Sequence, residues 1–310
     1  MRRPPPTWGL VLVLAACEAS ISSAPVSDSR GADAAILDSA GDATVAPTPD
    51  AAVLGPWGPA IKVTAAESAA VEDDETLSAN ALEMVFAIDA LNGSGKDLYY
   101  TSRASLTGAW TTASKLVAID STTTSDETPR MSADDKTLYF ASGSAGNGTL
   151  DIYQATRAAI GSSGWTNVQP VDGVSTKTLT EKWFMPCGTD HYLMVQNAAN
   201  GTGDIFEGTI GGPLPAAIPA LNTLQNETGV FVTQDCLTVY FTSARVNPTM
   251  IYTAHRASLT APWSEPAQVT DFAAIGGNQE DPWLSPDGHT FAFVSDAAGP
   301  GNKDVYLSTR

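Results

Sequence analysis

Three stretches of this chain share one plan: KDLYYTSRASLTGAW, LDIYQATRAAIGSSGW and MIYTAHRASLTAPW each run through a short loop into a tryptophan, Trp110, Trp165 or Trp263. A fourth, KDVYLSTR, reaches Arg310 with no tryptophan after it. The repetition extends well upstream. QEDPWLSPDGHTFAFVSDAAGPGNKDVYLSTR holds an acidic start, a short apolar run, a Ser-Pro-Asp-Gly turn, an alternating run, a Gly/Asn-rich turn and a third strand-length run. SDETPRMSADDKTLYFASGSAGNGTLDIYQATR matches it part by part. Three more worn units begin at DDETLSAN, TEKWFMPC and NETGVFVT. Alternation in TLYFAS, LTVYFTS and TFAFVS has the period of half-buried strands.

With the tryptophan-initiated segments, such as WTNVQPV and WSEPAQV, each unit carries four strands in about 50 residues, the pattern of a β-propeller blade. The Ser-Pro-Asp-Gly turn, the aromatic strand and the Asp-Val/Ile-Tyr that follows resemble the Pro-Asp propeller repeats of the TolB family. The resemblance covers essentially all of residues 57–310, and is clearer in the second and fifth units than in the third and fourth. It implies a propeller with protein–protein contacts in a bacterial envelope, and counting the units gives five blades, an all-β five-bladed propeller.

The missing tryptophan predicts how the ring closes. WGPAIKVT, beginning at Trp57, is a spare outer-strand segment. Trp57 precedes Ser78 by 21 residues, while Trp110 precedes Ser132 and Trp263 precedes Ser285 by 22. The Trp57 strand is therefore expected to complete the last blade, which removes an open sheet edge. PLPAAIPAL replaces the tryptophan segment between the third and fourth units. These tryptophans are expected to act as wedges between blades rather than as a sugar-stacking platform.

Besides Cys17, the chain has Cys187 and Cys236, which unit alignment places in first-hairpin turns of neighbouring blades. A disulfide between them is expected in an exported compartment; the alternative is two independent buried thiols.

Acidic residues recur where the innermost strands begin: Asp73 to Glu75, Asp126 and Glu127, Glu181, Glu227, and Glu280 with Asp281. In a closed propeller they would converge on one mouth of the channel. Three roles follow from that placement: tying blades together, binding a cation, or hydrolysing a glycosidic bond, as in the similar five-bladed glycosidases of the arabinanase type. Arg130, Lys182 and Trp183 break the repeat on the same strands. The candidate binding residues at this mouth are Glu127, Arg130, Glu181, Lys182, Trp183, Glu227, Glu280 and Asp281. Asp97, Asp151, Asp204 and Asp304 recur as turn caps of the second hairpin. His191, His255 and His289 fall at unrelated positions, and no nucleophile elbow, phosphate loop or zinc motif is present. No cofactor, metal or catalytic residue is expected.

Charged residues make up 16% of the chain, and 16 Lys and Arg against 34 Asp and Glu leave a net charge of −18. Such a balance disfavours nucleic acid as a partner. Residues 1–16 have the form of an export signal: Arg2 and Arg3 precede an apolar run too short to span a bilayer. It ends in LAAC, Leu14 to Cys17, which resembles the lipobox of bacterial lipoproteins and implies a lipidated Cys17. Residues 17–55 are rich in Ala, Ser, Asp and Pro without an aromatic, the composition of a disordered tether. The whole therefore predicts a lipid-anchored envelope protein whose residues 56–310 form a monomeric propeller that binds a protein partner, or alternatively a polysaccharide.

Overall fold

Alternating apolar residues in the middle strands can be buried on both faces only if sheets stack against sheets, and that is the arrangement found. The computed structural model describes residues 54–310, except 65, 67–69, 90–94, 122, 145–148, 177, 198–200 and 300–301. The expectations for Cys17, the export signal and the tether lie outside these residues.

Five four-stranded antiparallel sheets form a ring. β1 (Ile61–Lys62) comes first in the chain. Blade one is β2 (Glu72–Leu77), β3 (Glu83–Asp89), β4 (Lys96–Ser102) and β5 (Ser114–Lys115). Blade two is β6 (Asp126–Met131), β7 (Thr137–Ser142), β8 (Asp151–Thr156) and β9 (Thr166–Pro170). Blade three is β10 (Glu181–Cys187), β11 (His191–Asn197), β12 (Gly203–Thr209) and β13 (Ala216–Ala217). Blade four is β14 (Glu227–Val232), β15 (Thr238–Ser243), β16 (Met250–His255) and β17 (Ala267–Gln268). Blade five is β18 (Gln279–Leu284), β19 (Thr290–Ser295) and β20 (Asp304–Thr309), completed by β1, which pairs Ile61 with Leu307 and Lys62 with Tyr306. The Trp57 segment thus closes the ring from the other end of the fold.

Apolar faces meet between blades. Val85 and Leu98 of blade one pack with Leu138 and Phe140 of blade two. Phe272, Phe291, Phe293 and Tyr306 form a continuous aromatic stack between blades four and five, with Phe272 and Phe293 4.8 Å apart at their centroids. Burying such side chains is the main stabilising contribution to a fold built of short strands.

The tryptophans have a partner that explains the repeat. Arg103, Arg157, Arg256 and Arg310 each end a third strand and lay the guanidinium over Trp110, Trp165, Trp263 and Trp57, at 4.5, 4.3, 4.3 and 4.0 Å from the ring. The same arginines donate from Nε to the carbonyls of Ala81, Asp135, Cys236 and Gly288, at 2.7–2.9 Å. Those four residues end the first-hairpin turn with φ between 55° and 72°. This is a type I turn closed by a left-handed residue, for which glycine is the least strained choice. Each blade with this clasp therefore has its outer strand locked to its inner hairpin. Arg157 and Arg256 also tie neighbouring blades, through Glu83 at 2.6 Å and Glu207 at 2.7 Å.

Blade three has Ile210 where the arginine would stand, and the proline-rich stretch where the tryptophan would stand. Both halves of the clasp are missing together. At this junction Cys187 of blade three and Cys236 of blade four form a disulfide, with Cα atoms 5.4 Å apart. Gly188 also donates its N–H to the Gln234 carbonyl across the same junction, at 2.7 Å.

Candidate functional site

Each innermost strand carries a bulge at the same place. Pairing with the second strand slips after Asp73, Glu127, Lys182, Thr228 and Glu280. The next residues, Asp74, Thr128, Trp183, Gly229 and Asp281, all have φ between 48° and 59°. Bulges of this kind re-aim side chains at the rim of a closed sheet. Gly229 is obligatory in its turn, since a Cβ there would lie 2.7 Å from Asp281 Oδ1 and 2.9 Å from its backbone nitrogen.

The bulge sorts the acids into two sets. Asp126, Glu181 and Glu227 occupy the first strand position and are fully buried. Glu181 accepts from Thr176 N, Thr176 Oγ1 and Gln196 Nε2 at 2.8–3.0 Å. Glu227 accepts from Thr223 N, Thr223 Oγ1 and Ser243 Oγ at 2.7–2.8 Å. These two fasten the loop that enters their own blade, so they leave the set of mouth residues expected from sequence. Glu181 and Glu227 each stand one position ahead of Lys182 and Thr228, which are the residues that hold the register of Glu127 and Glu280 next to the bulge.

Asp73, Glu127 and Glu280, with the bulged Asp74 and Asp281, make the second set, and lysines link its members. Lys303 reaches Glu280 at 2.5 Å and Asp73 at 3.1 Å. Lys96 reaches Asp73 at 2.8 Å, Asp74 at 2.7 Å and Glu127 at 3.7 Å. Lys182 reaches Glu127 at 3.0 Å, its ammonium 5.7 Å from the Trp183 ring. The result is an alternating arc of acid and ammonium through blades five, one, two and three. Blade four contributes only Thr228 and Gly229 at this level.

Titration reflects the pairing. Burial disfavours charge on Asp73, but Lys96, Lys303 and the neighbouring Asp281 carboxyl outweigh it and hold the carboxyl well below the usual range. Asp281 is driven the other way, by burial and by the charges of Asp74 and Asp73. Burial lowers Lys96, yet Asp74, Asp73 and Glu127 carry it well above an ordinary lysine. Asp73, Glu280 and Asp281 offer oxygens within 4.8 Å of one another, a grouping of the size that holds a cation. The Lys303 ammonium already lies against two of the three.

Arg130 lies deeper and is fully buried. It holds the register position of Met185, Phe231 and Trp283 in the next three blades. Its Nη1 donates to the Glu75 carbonyl at 2.9 Å, and its Nε to the Val230 carbonyl at 3.4 Å, which links blades one, two and four through the centre. Glu75 is also fully buried, both carboxyl oxygens without a partner among the described residues, and burial raises its pKa well above the usual value. Of the sequence candidates, the structure therefore gathers Glu127, Lys182, Trp183, Glu280 and Asp281 in or beside the arc. Lys96 and Lys303 were missed. Their signal was a lysine directly before Asp97 and Asp304, present in blades one and five alone. Asp97 and Asp304 pair with the outer-strand lysines Lys115 and Lys62, at 2.9 and 2.8 Å.

No protein-family model matches this sequence, and no curated protein matches it. Among solved structures, the chain is similar to the catalytic domain of a GH62 alpha-L-arabinofuranosidase from Coprinopsis cinerea, with a TM-score of 0.55 and 12% identity over 83% of this chain and 97% of that one. An endo-arabinase from Bacteroides thetaiotaomicron gives 0.53 at 9% identity, covering 81% and 96%. A putative TolB from Agrobacterium tumefaciens gives 0.50 at 14% identity, also covering 81% and 96%. At such identities the likeness is one of fold.

Proposed function

We propose that the propeller is a non-catalytic binding module, held at the bacterial envelope by a lipid on Cys17, and that it engages a protein partner as a monomer. The observation that carries this reading is the bracing of the mouth. Lys96 and Lys303 together contact Asp73, Asp74 and Glu280, and Lys182 holds Glu127. A glycosidase needs one carboxylic acid and one free carboxylate flanking a sugar, at least about 5 Å apart. Here Asp73, Asp74, Glu127 and Glu280 lie against three fixed ammonium groups, an arrangement that holds blades in register and leaves the partly exposed lysines and Glu280 as the polar surface of the mouth. Such surfaces give specificity and steering to protein association.

A second reading, a polysaccharide-binding or glycoside-hydrolase-like propeller, draws on one observation: Asp73 and Asp281 bring carboxylate oxygens within 4.8 Å of each other while their acidities are pushed apart. The two are separated by experiment. Under the first reading, Lys182→Glu abolishes retention of an envelope protein that the full-length wild type retains, without loss of fold by circular dichroism. A partner retained equally by both proteins would remove the mouth from the interaction.

A further inference from the structure

The other end of the channel is built differently. Beyond Arg130 the innermost strands run into their turns around a cavity of about 360 Å³. Every blade contributes an apolar side chain from its innermost strand: Leu77, Met131, Met185, Phe231 and Trp283. Phe231 and Trp283 meet edge to face, with centroids 6.3 Å apart. A concave, mainly apolar site of this size, with a few polar groups at its edge, has the form of a small-ligand pocket.

The edge is acidic. Asp135 and Asp235 are the charged residues of the lining, which holds no Lys, Arg or His. The neighbouring turns add Asp134 and Asp287. Ser132 Oγ donates to Asp134 and Ser285 Oγ to Asp287, and these hydroxyl bonds hold both carboxyls below the usual range, so both stay charged. Asp235 accepts from Thr233 Oγ1 at 2.6 Å and from Leu237 N at 2.9 Å. Lys136 and His289 follow these turns outside the lining.

An apolar, aromatic- and thioether-lined cup under a carboxylate edge complements one ligand chemistry. We propose that the cup of Leu77, Met131, Met185, Phe231 and Trp283 binds a small hydrophobic cation, an aryl- or alkylammonium. The body packs against Trp283, Phe231 and the two methionines, and the ammonium faces the exposed Asp235, while Asp135 is buried with its carboxylate on the Ala79 N–H. Aromatic rings and methionine sulfur both favour such a body, and a cation near an aromatic face gains further attraction. This site is separate from the acid–lysine arc and does not depend on the role given to that arc.

The test is titration of the full-length protein, carrying methyl-labelled methionine, with phenethylammonium, 2-phenylethanol and phenylacetate. The methyls of Met131 and Met185 line the cup, while Met84 and Met194 are fully buried elsewhere and serve as internal controls. The expected result is saturable shifts at Met131 and Met185, with phenethylammonium bound about tenfold more tightly than phenylacetate. Asp235→Asn keeps an acceptor for Thr233 and Leu237, so it preserves the turn; it should weaken the cation several-fold and leave 2-phenylethanol unchanged. Absence of saturable shifts at the two cup methyls would overturn the proposal. So would phenylacetate binding as tightly as phenethylammonium, or Asp235→Asn weakening all three probes equally.

Discussion

The guanidinium of Arg310 stacks on the ring of Trp57 at 4.0 Å, and this contact joins the two ends of the propeller chain. It reproduces within the closing blade the clasp that Arg103, Arg157 and Arg256 make within theirs. Arg310→Ala removes the stacking and the Nε bond to Gly288 together. The expected loss is about 1–2 kcal/mol of unfolding free energy, measured by urea denaturation. An unchanged midpoint would show that β1 is held by strand pairing and Phe packing alone.

The disulfide between Cys187 and Cys236 stands at the junction whose blade lacks the clasp. Reduction, or Cys187→Ala with Cys236→Ala, should lower stability by about 2–4 kcal/mol. Native-state hydrogen exchange should quicken first in β10 through β13. Uniform quickening around the ring would contradict a local role for the bridge.

Asp126 gives a pH dependence with a definite sign. Burial pushes its carboxyl up to about 6 from an ordinary value of 3.8. Between those values the folded protein keeps a proton that the unfolded chain releases, so stability declines as pH rises from about 4 to 6. Glu75 and Asp281, raised well above their usual values, act in the same direction. Asp73 is lowered and acts in the opposite direction only at more acidic pH. Comparing wild type with Asp126→Asn isolates one group: the variant's decline across this window should be smaller by about 1–3 kcal/mol. Parallel curves would sink this assignment.

Lys303 braces Asp73 and Glu280 from a quarter-exposed position. Lys303→Met leaves both acids facing each other and Asp281 without that ammonium. At neutral pH the expected cost is about 1–3 kcal/mol, reduced from that of a buried pair because solvent reaches the site. Acidification to pH 5 should recover part of the loss, because protonation relieves the repulsion. A loss independent of pH would point to side-chain packing rather than charge.

Much of this architecture was legible in the sequence because it repeats. Strand alternation, the Ser-Pro-Asp-Gly turn and the count of tryptophans were enough to place five blades and the closing Trp57 strand. The clasp was half visible: the tryptophans stood out, but each arginine is separated from its ring by a loop, and only the fold brings the two planes together. The mouth was harder to read. A bulge re-aims one residue per innermost strand, and Glu181 and Glu227 fall one position short of the register of Glu127 and Glu280, a difference that acidic residues at the start of every innermost strand conceal. Lys96 and Lys303 come from the third strands, and nothing in their spacing relates them to Asp73. The apolar cup was not seen because Leu77, Met131, Met185, Phe231 and Trp283 come from five separate strands and share no repeated residue type.

That the braced mouth binds without cleaving is the central proposal for this protein. Its most direct test incubates the full-length protein with a panel of envelope and plant polysaccharides, with and without calcium, and reads newly formed reducing ends. The expected result is no new ends above the buffer control on any substrate. New ends that disappear in Glu127→Gln or Glu280→Gln would contradict it and make the acid–lysine arc an active site.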